Sequence, residues 1–494
     1  MKLRDLIRGV PVRATQGNLD VEITAVVADS RLAVRGSLFV AIPGLQHDGA
    51  KFIDSALEKG AIGVAGEHPI AARRSPPAWV EVEDGRAALA IIAANFYGHP
   101  ADKLSLVGVT GTSGKTTTTK MMESIFDANG EPVGLIGTIE YRAGDERLTA
   151  DRTTPDAVVL QEWFAKMVNT GVKHAVMEVS SHALALKRTY GIRFAAAVFT
   201  NLSQDHFDFH KDFEDYFAAK KTLFDQIDRS RRTAVVNIDD HYGRRLAGEL
   251  GKAMMSFGRA PKADVRPVEG FVIDVRGLRG RVRTPAGEIR VESRLLGLPN
   301  LYNWLGSIGG AIAVGIPKQA IEEGIRDLAF VRGRFEYVPS TGGLTVIVDY
   351  AHKPDALEKL LHAVRELAGK KRLILLFGCG GDRDKDKRAK MGNIGGRLSD
   401  FTILTSDNPR SEKPEAILDD IEKGIRGAGR YLRITDRGEA IARAIDEASD
   451  DDVIVIAGKG HETYQVVGDQ IVHFDDREEA ERALKKRHEK VTAK

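Results

Sequence analysis

The chain has 494 residues, 43% hydrophobic and 29% charged, and its 72 basic and 70 acidic side chains leave a formal charge of +2. That length exceeds a single hydrophobic core and predicts about three domains at ~150 residues each. The charge balance gives no electrostatic case for nucleic acid or an anionic membrane. The longest apolar run, AALAIIAANF at 87–96, is far short of the ~20 residues that span a bilayer. The opening MKLRDLIRGVPVR lacks the continuous apolar core of a signal peptide. One cysteine, Cys379, excludes an internal disulfide and a cysteine metal site. A cytosolic globular protein is expected.

Residues 1–98 read as a small α/β unit of short strands and turns. ITAVVADSRLAVRGSLFVAI alternates apolar segments with Gly and charged breaks, and AKFIDSALEKGAIGVAG reads helix, Gly stop, strand. Asp29-Ser30-Arg31 and Gly44-Leu45-Gln46-His47-Asp48-Gly49 are polar clusters at strand ends, fit for a ligand or for ordinary turn chemistry.

Residues 99–334 open on LSLVGVTGTSGKTTTTK, positions 104–120. A β-branched run at 104–109 reads as a buried strand. A turn through Gly111, Thr112, Ser113 and Gly114 follows, then Lys115, Thr116, Thr117 and a helix to about Ala128. Strand, glycine turn, Lys-Thr and helix form a phosphate cradle. Glycines let backbone N–H groups turn to the anion, the helix start adds positive potential, Lys115 reaches terminal phosphates and a Thr hydroxyl can hold Mg²⁺. The spacing departs from G-x-x-x-x-G-K-[ST], because Val109 stands where the first Gly belongs. Further strands are expected at 133–136, 175–179, 195–200 and 233–237, with helices between, which predicts a parallel sheet covered on both faces. FVIDVRGLRGRVRTPAGEIRVE interrupts them with period-two alternation around Thr284-Pro285-Ala286-Gly287, a hairpin insert.

Residues 335–494 resume the alternation, with strands at 344–348, 372–377, 401–404 and 453–457 and helices at 353–367 and 414–427, a second doubly wound unit. In such sheets ligands bind beyond the carboxyl ends of the strands, and nearly every polar motif falls there.

Met177-Glu178-Val179-Ser180-Ser181-His182 follows one central strand and FTNLSQDHFDFH the next. A carboxylate and imidazoles at neighbouring strand ends can hold a divalent cation. Mg²⁺ prefers oxygen, which favours Glu178 over a His, and a single such His reads as a hydrogen-bonded loop residue rather than a ligand. His206 and His210 are spaced i, i+4, but Phe207 stands where a zinc protease needs Glu. Lys220, in DYFAAKKTLF, reads as part of a solvated helix face. DYAHKPDAL, GCGGDRDKDKR, TSDNPRSEKP and AGKGHETYQ all follow strands of the last domain. Arg383 and Arg410, with Asn408 and Glu462, make a pocket for a zwitterionic acid, since the guanidinium fork bonds both oxygens of a carboxylate. Loop-stabilising salt bridges are the alternative. Cys379, between glycines, reads as a packing residue.

The chain resembles, over essentially its full length, the ATP-dependent Mur ligases of peptidoglycan synthesis. The resemblance rests on the GTSGKT loop with that family's own spacing, Glu178 to His182, Asn201 with Asp205-His206, Ala219-Lys220, Asn300 and Asn303 in LPNLYN, Gly333 to Glu336, and Asp349 to His352. Within the family it looks like the branch that adds the third residue to UDP-N-acetylmuramoyl-L-alanyl-D-glutamate. Asp407-Asn408-Pro409-Arg410 is the pattern of the members that use meso-2,6-diaminopimelate rather than lysine.

The resemblance implies three domains: a UDP-binding unit, a P-loop ATPase domain with a β-rich insert, and a Rossmann-like domain for the incoming amino acid. It implies that Gly111 to Thr117 bind ATP phosphates, that Asn300, Arg334, Asp349 and His352 contact the nucleotide, and that Thr116, Glu178, His206 and a carbamylated Lys220 hold Mg²⁺. Lys115, Glu178, His206 and Lys220 would be catalytic. Ser30 would meet uridine, and Thr153, Thr154, Ser180 and Arg188 the muramoyl dipeptide. Arg383, Asp407, Asn408, Pro409, Arg410, Gly458 and Glu462 would bind diaminopimelate. Its partners would be these small molecules alone, acting on a monomer with no nucleic acid and no membrane insertion. Leu186, Arg332 and Lys353 depart from residues common in the family without removing a catalytic group. A ligase using lysine, a folylpolyglutamate-synthetase-like ligase and a nucleotide-dependent switch remain as alternatives.

Overall fold

The structure is a computed structural model that describes residues 1–44, 47–68, 76–228, 233–274, 276–340 and 343–492. Leu45 and Gln46 of the first polar cluster lie outside the described residues. The chain divides into two compact units: residues 1–266, 283–289 and 303–324, and residues 267–282, 290–302 and 325–494.

The first unit contains two sheets. A five-stranded one runs Val12–Gly17, Ala78–Val82, Gly63–Gly66, Ser37–Ala41, Ala25–Val27, parallel except for its first strand. Its core joins Leu38, Val40, Ala65 and Val80 to Leu89 and Ile92 of the helix Gly85–Tyr97. That helix starts on Asp84, whose carboxylate caps Arg86 N and Ala87 N, and stops at Gly98 in the left-handed conformation.

The second sheet has eight strands, in the order Met254–Phe257, Ala234–Asn237, Ala196–Phe199, Ser105–Thr110, His174–Glu178, Val133–Ile136, Glu140–Ala143, Glu146–Thr149. The expected central strands are present to within a residue or two and are parallel. The last two, unexpected from their charged sequences, form an antiparallel edge. One face buries Leu106, Met177 and Phe199 against Trp163, Phe164 and Phe217, each such side chain contributing ~1.5–3 kcal/mol. Helical glycines cover part of the other face. A Cβ at Gly309 would meet Val235 Cγ1 at 2.7 Å, so glycine there lets the helix lie this close. The insert forms as expected, with strands Gly277–Thr284 and Gly287–Ser293 paired across a turn closed by Thr284 Oγ1 donating to Gly287 O at 2.6 Å.

The second unit carries a six-stranded sheet ordered Glu336–Val338, Thr345–Asp349, Val453–Ala457, Leu373–Phe377, Phe401–Leu404, Tyr431–Arg433, parallel after its first strand. Its apolar runs are buried on both faces by strict alternation. Ile347, Leu375 and Val455 join the core under the helix Pro354–Ala368. Val346, Val348, Leu376 and Ile456 join the opposite core, with Ile441 and Ile445. Among the described residues no helix is long and apolar enough to cross a membrane.

Candidate active site

In the first unit, register brings three strand ends together: Val109 pairs with Glu178, and Thr110 with Phe199. Val109 is therefore still strand, buried on both sides, and the turn comes only at Gly111 and Gly114, with φ of +147° and +86°. The irregular spacing has this cause. A Cβ on Gly111 would lie 1.9 Å from Thr200 Oγ1, so the loop packs on the neighbouring strand end. Thr112 N donates to Asn201 O at 2.9 Å, and Ser113 N to Asn201 Oδ1 at 3.0 Å. The helix Lys115–Ala128 then starts with no side-chain cap, leaving its positive end to an outside anion. Lys115 Nζ folds back on Gly111 O and Thr112 O, both at 3.0 Å.

Glu178 is fully buried. Its Oε1 accepts from Thr138 N at 2.6 Å, and its Oε2 from Thr116 Oγ1 at 2.9 Å and Thr138 Oγ1 at 3.1 Å. No cation of the protein pairs with it among the described residues. A buried carboxylate beside two hydroxyls is a hard oxygen donor set, which fits Mg²⁺ with water and phosphate completing the shell. Among the described residues no three His, Cys, Asp or Glu side chains gather into a metal cage. His206 lies in the left-handed region at φ +56°, with Nε2 3.3 Å from Asp205 Oδ2 and its ring edge-on to His182 at 4.8 Å.

Lys220 corrects the solvated-face expectation. It lies four residues after Tyr216, on the helix face that also buries Phe217, and is 1% exposed. Its Nζ donates to Gly111 O at 2.8 Å and sits 4.5 Å from the Tyr216 ring. Burial, and then the neighbouring Lys115, push its pKa well below the ordinary lysine value.

Thr153, Thr154, Ser180 and Arg188 converge beside this strand end. Thr153 Oγ1 is 3.0 Å from Thr138 Oγ1, and Thr154 Oγ1 donates to Glu178 O at 2.7 Å. Ser180 Oγ caps the next short helix at Ala183 N. Arg188 Nη1 donates to Thr154 O at 2.6 Å, and burial followed by Arg152 lowers its pKa. Ser30 is buried at the start of the turn Ser30–Leu32, behind Asp29, whose carboxylate accepts from Arg31 N at 2.9 Å. Thr138 was missed by sequence reasoning. Its only signal is a Gly-Thr step after a buried strand.

In the second unit, register again aligns strand ends: Asp349 and Phe377 pair with Ala457, and Phe377 with Leu404. Asp349 accepts from Phe335 N at 2.7 Å and Ala351 N at 2.8 Å; burial raises its pKa and Arg334 opposes this. Arg334 lies 4.8 Å over the Tyr350 ring, its Nε without a hydrogen-bond partner among the described residues. His352 and His461 pack on the same ring at 4.6 and 4.7 Å, and burial pushes them down to about 4 and about 3. Asn300 Nδ2 donates to Leu296 O at 2.8 Å.

Arg410 lies in the left-handed region at φ +52°, a strained backbone of the kind held at binding sites. Its Nη1 donates to Gly381 O at 2.8 Å. A Cβ on Gly380 would meet Arg410 Nη1 at 2.9 Å and Arg383 Cγ at 3.9 Å, so the two guanidinium-bearing chains flank one glycine. Neither arginine forms a salt bridge with a carboxylate among the described residues, whereas Glu462, the acid of the same cluster, is paired with Lys459 at 3.0 Å. Asp407 accepts from Asn408 N at 2.7 Å, and Pro409 O from Glu412 N at 3.1 Å. Gly458 at φ +118° presses on Asp407, where a Cβ would come 2.8 Å from Oδ2. Asn408 Nδ2 donates to Glu462 Oε2 at 2.8 Å. Arg332, one of the departures, pairs with Asp475.

Known proteins match along the whole length. The Mur ligase family, catalytic domain, matches residues 22–97, the Mur ligase middle domain residues 109–311, and the Mur ligase, glutamate ligase domain, residues 333–460. The UDP-N-acetylmuramoyl-L-alanyl-D-glutamate--2,6-diaminopimelate ligase 1 of Clostridium acetobutylicum is 45% identical over 482 residues, 97% of this chain and 98% of that one. The corresponding ligase of Gloeobacter violaceus is 46% identical over 489 residues, 99% of each. A solved structure of a UDP-N-acetylmuramoyl-L-alanyl-D-glutamate--2,6-diaminopimelate ligase superposes with a TM-score of 0.69 at 30% identity, covering 99% of both chains. A Mycobacterium tuberculosis folylpolyglutamate synthase shares the fold at 18% identity and a TM-score of 0.58, over 76% of this chain and 92% of its own.

Proposed function

Because the chain belongs to the Mur ligase family, we propose that it joins meso-2,6-diaminopimelate to UDP-N-acetylmuramoyl-L-alanyl-D-glutamate in peptidoglycan precursor synthesis. It is an ATP-dependent, ADP-forming acid–amino-acid ligase. The observation that carries the substrate is Arg410: a guanidinium on a strained backbone, in no salt bridge among the described residues, inside an Asp-Asn-Pro-Arg loop. Diaminopimelate differs from lysine by a second carboxylate, and a site built to pair that group rejects an analogue lacking it.

The reaction has two steps. The D-glutamate side-chain carboxylate attacks the γ-phosphorus of ATP, giving an acyl phosphate and ADP; the diaminopimelate amine then attacks the acyl carbon, giving the amide and phosphate. Lys115, released from Gly111 O and Thr112 O, and the N–H groups from Gly111 to Thr117 offset charge on the transferring phosphoryl group. Thr116 and Glu178, with His206, would hold Mg²⁺, which neutralises phosphate charge when bound. The buried oxygen set around Glu178 supports that role. Lys220 is proposed to be carbamylated and to join them: its neutral amine, favoured by burial, attacks CO₂ and loses a proton, becoming an anionic oxygen donor.

Asn300, Arg334, Asp349 and His352 are assigned to the nucleotide, and Ser30, Thr153, Thr154, Ser180 and Arg188 to the muramoyl dipeptide. Arg383, Asp407, Asn408, Pro409, Arg410, Gly458 and Glu462 are assigned to diaminopimelate. Domains at 1–98, 99–334 and 335–494, a monomeric state and a cytoplasmic location complete the proposal.

Phosphate release with each substrate omitted in turn tests it. Release requiring both the UDP-muramoyl dipeptide and meso-diaminopimelate is expected. Release without an amino acid, or equal turnover with lysine, would contradict it.

A further inference from the structure

Sequence reasoning passed over Lys459, and the reaction as described does not use it. It is 0% exposed, an unusual place for a lysine. Its neighbours explain how it gets there. Gly458 and Gly460 have φ of +118° and +53°, and a Cβ on them would meet Asp407 Oδ2 at 2.8 Å and Tyr350 Cβ at 2.6 Å. Only glycine on both sides lets the loop press between those residues and carry the lysine inward.

Once buried, Lys459 closes a network. Its Nζ donates to Asn408 Oδ1 at 3.2 Å and Glu462 Oε2 at 3.0 Å. Val466 N also donates to Asn408 Oδ1, at 3.0 Å, and Asn408 Nδ2 to Glu462 Oε2, at 2.8 Å. Both lone pairs of the amide oxygen are taken by donors. A flipped carboxamide would set its NH₂ against the Lys459 ammonium and the Val466 N–H, donor against donor. The orientation of Asn408 is thereby fixed. One Nδ2 hydrogen remains beyond the bond to Glu462, and Glu462 Oε1 has no partner among the described residues.

We propose that Lys459 is a positioning residue that sets the selectivity of the amino-acid site. The proposal rests on the reading of this site as one for diaminopimelate. Lys459 holds the Asn408 N–H as a donor for a substrate carboxylate and Glu462 Oε1 as an acceptor for a substrate ammonium, while its own charge offsets that of Glu462. Without it, Asn408 loses one of the two donors that fix its amide, and Glu462 loses the cation bonded to it. Both changes penalise the carboxylate of diaminopimelate and favour the bare ammonium of lysine.

The test is Lys459→Met in the full chain, with kcat and KM measured for meso-diaminopimelate and L-lysine at saturating ATP and UDP-muramoyl dipeptide. KM for diaminopimelate is expected to rise ~10-fold or more with kcat within ~3-fold, and the ratio of kcat/KM for diaminopimelate over lysine to fall ~10-fold or more. That ratio does not depend on how much of the sample is folded, so a merely structural role leaves it unmoved. Lys459→Gln, milder and still a donor to Asn408, is expected to keep more of the ratio than Met. An unchanged ratio in Lys459→Met, or a ratio no better kept in Lys459→Gln than in Met, overturns the proposal. Failure of the unaltered protein to use diaminopimelate overturns the substrate reading instead.

Discussion

Replacing Arg410 with lysine isolates the guanidinium fork from its charge. Both residues are equally disfavoured at the left-handed φ of +52°, so backbone strain cancels in the comparison. Arg410 Nη1 is committed to Gly381 O at 2.8 Å, leaving Nε and Nη2 as an edge that matches the two oxygens of a carboxylate. An ammonium tied to the same carbonyl reaches at most one of those oxygens well. One charge-assisted hydrogen bond is worth ~1.5–3 kcal/mol, which converts to a ~10- to ~150-fold rise in KM for meso-diaminopimelate. The rise should fall on KM rather than kcat, because the carboxylate proposed to meet the fork is remote from the reacting amine. Phosphate release at saturating ATP and UDP-muramoyl dipeptide, with diaminopimelate titrated, measures it. Activity towards lysine should change little. An unchanged KM for diaminopimelate would refute the fork argument.

Gly111→Ala places a Cβ 1.9 Å from Thr200 Oγ1 at a φ of +147°, and strain of ~1–3 kcal/mol predicts a ~5- to ~150-fold higher KM for ATP in the same assay. Asp476→Ala leaves Arg437, otherwise paired with it at 2.6 Å and fully buried, as an unpaired charge; ~3–5 kcal/mol of stability should be lost in thermal denaturation. Arg437 also holds Ser406 O at 3.2 Å and Ala457 O at 3.0 Å, so KM for diaminopimelate should rise with that loss. Burial holds His352 and His461 near about 4 and about 3 when folded, against 6.5 ordinarily. Their neutral forms therefore contribute full stability above pH ~6.5, lost progressively as pH falls towards the folded values, because the unfolded chain takes up the protons. Denaturant midpoints should drop between pH ~7.5 and pH ~5, and drop less in His461→Asn.

The parts that could be read in advance are those written in local pattern. A β-branched run, a glycine turn and Lys-Thr identified the phosphate loop, and Val109 proved to be the last full strand position before a delayed turn. The parallel strands of both large sheets were visible because burial on two faces makes them continuous apolar runs. Glu140–Ala143 and Glu146–Thr149 were not visible, because an edge hairpin tolerates the charges of EYRAGDERLT. Lys459 escaped altogether, and Lys220 could be placed only through the family resemblance, for a common reason. A lysine reads as solvated until tertiary packing places it, one by i, i+4 alignment with Tyr216 and the other by flanking glycines. Thr138 became legible only when the sheet order set its strand end beside Glu178.

Oxygen labelling tests the ligase chemistry most directly. With ¹⁸O in the D-glutamate side-chain carboxylate of the UDP-muramoyl dipeptide, attack of that carboxylate on ATP carries one labelled oxygen into the phosphate released when diaminopimelate forms the amide. Singly labelled phosphate, appearing only with diaminopimelate present, is the predicted result. Unlabelled phosphate would mean that water attacks ATP and would contradict an acyl-phosphate ligase.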